Sequence, residues 1–107
     1  MKLEVLAPLG SIRPQGFNMK AVWVFTGSES RFPSGVFVAL ADAELWIKNN
    51  SLSGVLTQYP VGISVYDWAV ENGHFRIKNE KEKSSAFIQE FSSAAQEHFH
   101  FENGSSE

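Results

Sequence analysis

The chain has 107 residues, a formal net charge of -3 and no cysteine, with 43% hydrophobic and 20% charged residues. That length fits one domain with a real hydrophobic core, and the composition excludes disorder throughout. The missing Cys excludes disulfides and thiolate metal sites, and the acidic balance argues against non-specific nucleic-acid binding, which rests on phosphate neutralisation.

Residues 1–18 are punctuated by Pro8, Gly10, Pro14 and Gly16 and read as an irregular N-terminal extension, with Met19 an alternative start. Glu4 and Pro8 interrupt any apolar signal region, and no window approaches the roughly 18 apolar residues of a membrane span. The expectation is a soluble, cytoplasmic protein. Ala21-Val22-Trp23-Val24-Phe25-Thr26 is β-branched and aromatic and predicts a strand buried on both faces. After a turn-rich stretch from Gly27 to Gly35, Val36-Phe37-Val38 predicts its hairpin partner.

Leu40, Ala43, Trp46 and Ile47 then fall at helical spacing, with Asp42 and Glu44 early and Lys48 late, as the helix dipole favours. Gly54 to Tyr59 predicts a third strand halted by Pro60. Ser64-Val65-Tyr66-Asp67 resembles a capping box with Asp in place of Glu, opening a short helix that stops at Gly73. Residues 76–85 read as a solvated loop. Ser85 predicts the cap of a last helix carrying Phe87, Ile88, Phe91 and Ala94 or Ala95 on its core face. His98 to Glu102 predicts a final strand, and residues 104–107 a flexible tail.

The resulting expectation is a single α+β domain over residues 19–103: a small, mostly antiparallel sheet with helices packed on one face, in the order β-β-α-β-α-α-β. Trp46, Ile47, Phe87, Ile88 and Phe91 are expected to meet Val22, Val24, Val36 and Leu56 in the core.

Residues able to do chemistry fall on a regular spacing in His98-Phe99-His100-Phe101-Glu102. Alternation along a strand puts His98, His100 and Glu102 on one face and Phe99 and Phe101 on the other. Two imidazoles and a carboxylate suit zinc, which makes a small metal-binding domain or metal-assisted enzyme one reading. The plainer one is a solvent-facing strand whose histidines contact a partner while the phenylalanines complete the core. Ser92 and Ser93 precede His98, yet no Gly-x-Ser-x-Gly elbow surrounds either. Asp67, Glu71 and His74 read as a cap and a solvated face. Gly27-Ser28-Glu29-Ser30-Arg31 lacks the lysine of a phosphate loop. Arg76, Lys78, Lys81 and Lys83 lie near Phe75 and Tyr66, a mixture that suits single-stranded nucleic acid, but Glu80 and Glu82 dilute the field.

The nine Phe, three Trp and two Tyr form a generous aromatic inventory for this length. Trp23, Trp46 and Trp68 are read as core. Some aromatics are expected to surface, where such residues mark contacts between proteins. Arg31, Phe32, Tyr66, His98 and His100 are the expected interaction surface.

Several segments together carry a resemblance. Val22-Trp23-Val24-Phe25, Arg31-Phe32-Pro33-Ser34-Gly35-Val36-Phe37, Ala43-Glu44 with Trp46-Ile47, Leu52-Ser53-Gly54 with Leu56-Thr57 and Tyr59-Pro60, Tyr66-Asp67-Trp68-Ala69, and Phe91-Ser92-Ser93-Ala94 with Gln96-Glu97-His98 are similar to a family of small uncharacterised bacterial proteins carrying a domain of unknown function. The resemblance spans about residues 20–103. It implies no catalytic residue and is loosely associated with accessory, antitoxin-like or immunity proteins. Where that family has a capping Ser before the first helix, this chain has Ala39.

The sequence therefore points to a non-enzymatic module whose partner is another protein and which needs no cofactor. A zinc-binding domain built on His98 and His100 is the alternative, and nucleic-acid binding the third reading.

Overall fold

The computed structural model describes residues 20–107, so the expected N-terminal extension over 1–18 and the alternative start at Met19 lie outside the described residues. Its elements in chain order are β1 (Ala21–Gly27), β2 (Pro33–Phe37), α1 (Leu40–Asn49), β3 (Gly54–Pro60), α2 (Val65–Glu71), a 3-10 turn (Glu80–Lys83), α3 (Ser85–Gln89), β4 (His98–Glu102) and β5 (Ser105–Ser106). The strands form one five-stranded sheet in the order β2-β1-β3-β4-β5, antiparallel at each pairing. The α+β architecture is the one the sequence predicts.

Cross-strand register assigns every side chain to a face, because directly paired residues share one. Gly35, Phe25, Leu56 and Phe99 make one row across four strands, and Phe37, Trp23 and Gln58 lie in the next. These rows are the inner face. On the opposite face, Val36, Val24, Thr57 and His98 form the matching row, flanked by Tyr59 opposite Val22 and by His100 opposite Val55.

Helix α1 lies on the inner face. Its Ala43 and Ile47 are fully buried, and with Trp23, Phe25, Leu56 and Phe101 they make the core, against which Phe37, Leu40, Trp46, Leu52 and Phe99 pack. Asp42 stands in the first turn and Lys48 in the last, favourable to the dipole at both ends. The N-cap is Ala39, with no side-chain hydrogen bond, as its lack of a hydroxyl dictates. Two glycines admit the close approaches. A Cβ on Gly35 would come within 3.1 Å of the Trp46 ring. At Gly54 it would collide with the Thr26 carbonyl oxygen and lie 2.8 Å from both the Gly27 Cα and the Phe25 ring.

A second aromatic cluster stands apart from this core. Tyr66 of α2 is only 7% exposed, with the rings of Phe75, Phe87 and Phe91 at 5.4–6.2 Å from it. The Tyr66 hydroxyl donates to the Glu82 carbonyl at 2.7 Å, tying α2 to the 3-10 turn. The α2 cap forms as predicted: the Asp67 amide donates to Ser64 Oγ at 3.0 Å, and Ser64 Oγ donates to the Asp67 carboxylate.

Several expectations are corrected. Val22 and Val24 are only partly buried and Val36 is 65% exposed, since α1 and α2 lie against the other face, which takes Trp23 and Phe25. Ile88 is also exposed, and Phe87 and Phe91 belong to the second cluster rather than the main core. The last helix is capped by Ser84 rather than Ser85 and ends at Gln89, so Phe91, Ala94 and Ala95 fall beyond it. Residues 76–85 are not wholly loop. Asn79 accepts from the Glu82 amide at 3.1 Å and starts the 3-10 turn. Finally, residues 104–107 are not a loose tail. Asn103 and Gly104 take φ of 51° and 89°, the pair of positive angles that a tight hairpin requires, and Ser105–Ser106 return against β4.

Two substitutions separate the clusters. Ile47→Ala opens a cavity in the fully buried main core and is expected to cost about 3 kcal/mol in urea unfolding. Tyr66→Phe removes one hydrogen bond while keeping the ring, and is expected to cost about 1 kcal/mol.

Candidate functional site

Strand β4 alternates as its sequence predicts: Phe99 and Phe101 turn inward, Phe101 being buried, while His98, His100 and Glu102 are exposed. Phe99 meets Trp23 at 5.7 Å between ring centroids, which anchors the strand and holds the histidines outward. Their rings stand 5.6 Å apart and nearly perpendicular.

His98 is oriented by its own backbone neighbourhood. Its Nδ1 lies 2.8 Å from the Gln96 carbonyl oxygen. A carbonyl can only accept, so Nδ1 carries the proton and Nε2 of the neutral ring holds the free lone pair. Gln96 itself is 4% exposed, and the sequence reading did not single it out. Its Nε2 donates to the Gln58 carbonyl at 3.0 Å, and its Oε1 accepts from the Ser93 amide at 3.1 Å. The Gln58 amide in turn donates to the Glu97 carbonyl at 2.9 Å. One buried residue thus fixes the entry to β4 with its side chain and, through its backbone carbonyl, the tautomer of His98.

The outer face of the sheet surrounds these histidines. Along the row from Val36 through Val24 and Thr57 to His98 there is no fixed charge, and Tyr59 and Val36 are well exposed. Helices α1 and α2 both belong to the inner side. For α1 this follows from the core, and for α2 from an open groove of about 370 Å3 in which its Trp68 and Glu71 meet Ala21, Gln58 and Pro60. Lys20, Ile63 and Gln96 complete the groove.

The other expected site residues scatter. Arg31 and Phe32 lie in the β1–β2 connection, with the guanidinium carbon 5.8 Å from the Phe32 ring centroid and Phe32 73% exposed. Strands β1 and β3 stand between β2 and β4, so this pair and the histidines do not share a patch. Tyr66 is corrected: it is a buried ring of the second cluster and offers no contact surface. His74 packs against Trp68 at 5.1 Å, far along the chain from β4. Lys83 pairs with Glu80 at 3.1 Å, which lowers the field of the basic stretch. Among the described residues, no group of three or more His, Asp or Glu gathers as a metal site requires. No helix among them is long and apolar enough to cross a membrane.

A family model described as a domain of unknown function, DUF7710, matches residues 22–107. No curated protein and no solved structure matches the chain.

Two imidazoles alone hold zinc weakly beside the four-ligand norm. Thermal melts with and without a large zinc excess are therefore expected to superimpose. A zinc-dependent rise that His98→Ala/His100→Ala removes would install the metal reading instead, because a ligand of the native state must raise its melting temperature.

Proposed function

The chain belongs to that family of unknown function, and from its own surface we propose that it is a non-enzymatic protein-interaction module of the accessory or immunity-like kind, acting in the bacterial cytoplasm. The observation that carries this reading is the outer sheet face. It joins Val24, Val36, Val55, Thr57 and Tyr59 over three adjacent strands, with His98 and His100 of the fourth at one side. Continuous apolar surface of this kind marks contact sites on soluble domains, and covering it gains roughly 25 cal/mol per Å2. Side chains that a hydrolytic site would draw on have structural work: Asp67 and Ser64 cap α2, and Ser93 Oγ accepts from the Ala95 amide at 3.1 Å. These engagements support a binding role over catalysis.

A second reading keeps the histidines as ligands. The bond from His98 Nδ1 to the Gln96 carbonyl is the outer-shell contact that orients metal-bound imidazoles and presents Nε2. With two ligands in place, further donors would come from the partner.

The outer-face reading is tested with Val36→Glu/Tyr59→Glu. Both positions are exposed, so the melting temperature is expected to hold. Affinity capture from the native cell is expected to return a stoichiometric protein with the wild-type chain and to lose it with the double variant. An identical set of captured proteins for both chains would remove the face from consideration.

A further inference from the structure

Resting on that reading, we infer that the outer face takes a second copy of this chain, packed sheet against sheet about a two-fold axis. Two observations carry it: the charge on the face and its size. In a two-fold interface the same patch is used by both copies, so a charge near the axis meets its own likeness. The chain carries a net charge of -3, yet the row Val36–Val24–Thr57–His98 and the neighbouring Val55 and Tyr59 hold no carboxylate, lysine or arginine, and Glu102, a carboxylate on the same face, stands at its rim at the end of β4 opposite Ser105. Self-docking therefore meets no like-charge repulsion there, and a strongly charged partner would find nothing to pair with. Valine and threonine are stiff at χ1, so they lose little rotamer freedom on contact. Faces of this composition stack about 10 Å apart with strands rotated by some 30°.

Size sets the strength of the dimer. The five strands hold 26 residues, which at a rise of about 3.3 Å and a strand spacing of about 4.8 Å give a flat area of roughly 400 Å2 per copy. Two copies together bury on the order of 800–1,000 Å2, at the lower edge of specific interfaces. Such an area makes a reversible dimer, with a dissociation constant between about 1 µM and 1 mM.

Sedimentation velocity on the full chain, from about 1 µM to 1 mM, tests this over the range just given. The average mass is expected to climb from 11.9 kDa toward twice that value. Val36→Lys places like charges across the interface and is expected to weaken association at least tenfold with an unchanged circular dichroism spectrum. Phe32→Ser, in the β1–β2 connection, is expected to leave it intact. If Val36→Lys misfolds, concentration-dependent amide shifts in the wild-type chain decide, and they are expected on β1 to β4. A monomer at every concentration overturns the proposal, as does a dimer that Val36→Lys leaves unchanged or shifts that map elsewhere. If the chain stays monomeric while the outer-face variant still loses a captured protein, the interaction reading stands with a different occupant. If neither responds, both fall.

Discussion

The indole of Trp46 stands edge-on to Phe25 at 5.5 Å and tilted against Phe37 at 5.3 Å, above the bare backbone of Gly35. This contact sets α1 on the sheet, and much follows from it. A ring of that size reaches two strands only where the strand beneath it has no side chain, and Gly35 supplies the gap. Once Trp46 lies there, Ile47 one residue on is driven into the fully buried space beside Leu56. The register of β2 on β1 is then fixed as well. A slip of one residue would put Val36 under the indole and turn Phe37 to water.

One-sided covering has a second consequence. The chain spends its largest rings on the inner face, and its helices follow them there. The outer side keeps mostly β-branched residues, Val24, Val36, Val55 and Thr57, with Tyr59 beside them, which by themselves need no cover to keep the fold. On β4 the inner side takes Phe99 and Phe101. Their burial holds β4 in place whatever the histidines do, so the outer face can serve contact without carrying the stability of the domain.

How much of this the sequence discloses depends on whether the two faces of an element differ chemically. In β4 they do, His against Phe, and its orientation is legible from alternation alone. Helix α1 and the Ser64 cap are legible for the same reason, since each has a periodic or positional signature. In β1 every residue from Ala21 to Phe25 is apolar, so the period of two vanishes. The choice between Trp23/Phe25 and Val22/Val24 is made by α1, which lies elsewhere in the chain. Adjacent Ser84 and Ser85 are equivalent as caps by composition. The extended last helix followed from Phe87, Phe91 and Ala95 falling at helical spacing. In the structure that spacing serves ring contacts instead, with Phe91 at 5.9 Å from Phe87 and 5.0 Å from Phe75. Asn103-Gly104 carries a hairpin signal in plain view, and the turn is pinned by the Gly104 amide on the Leu52 carbonyl at 2.8 Å while the return strand pairs with β4.

Gln96 shows where sequence reasoning stops for the site itself. A glutamine on a polar stretch reads as solvent-facing, and nothing local says otherwise. Its partner, the Gln58 carbonyl, is 38 residues away and becomes adjacent only when β3 and β4 pair. Burying the amide without that carbonyl and the Ser93 amide would leave polar atoms unsatisfied at a cost of about 1–3 kcal/mol each, so the position is stable only in the finished sheet. The same closure sets the proton on His98 Nδ1, because the carbonyl that receives it belongs to the residue the sheet has locked. The chemistry of the outer face is therefore a product of pairing: the histidines are written in the sequence, but the direction in which His98 presents its lone pair is written in the register.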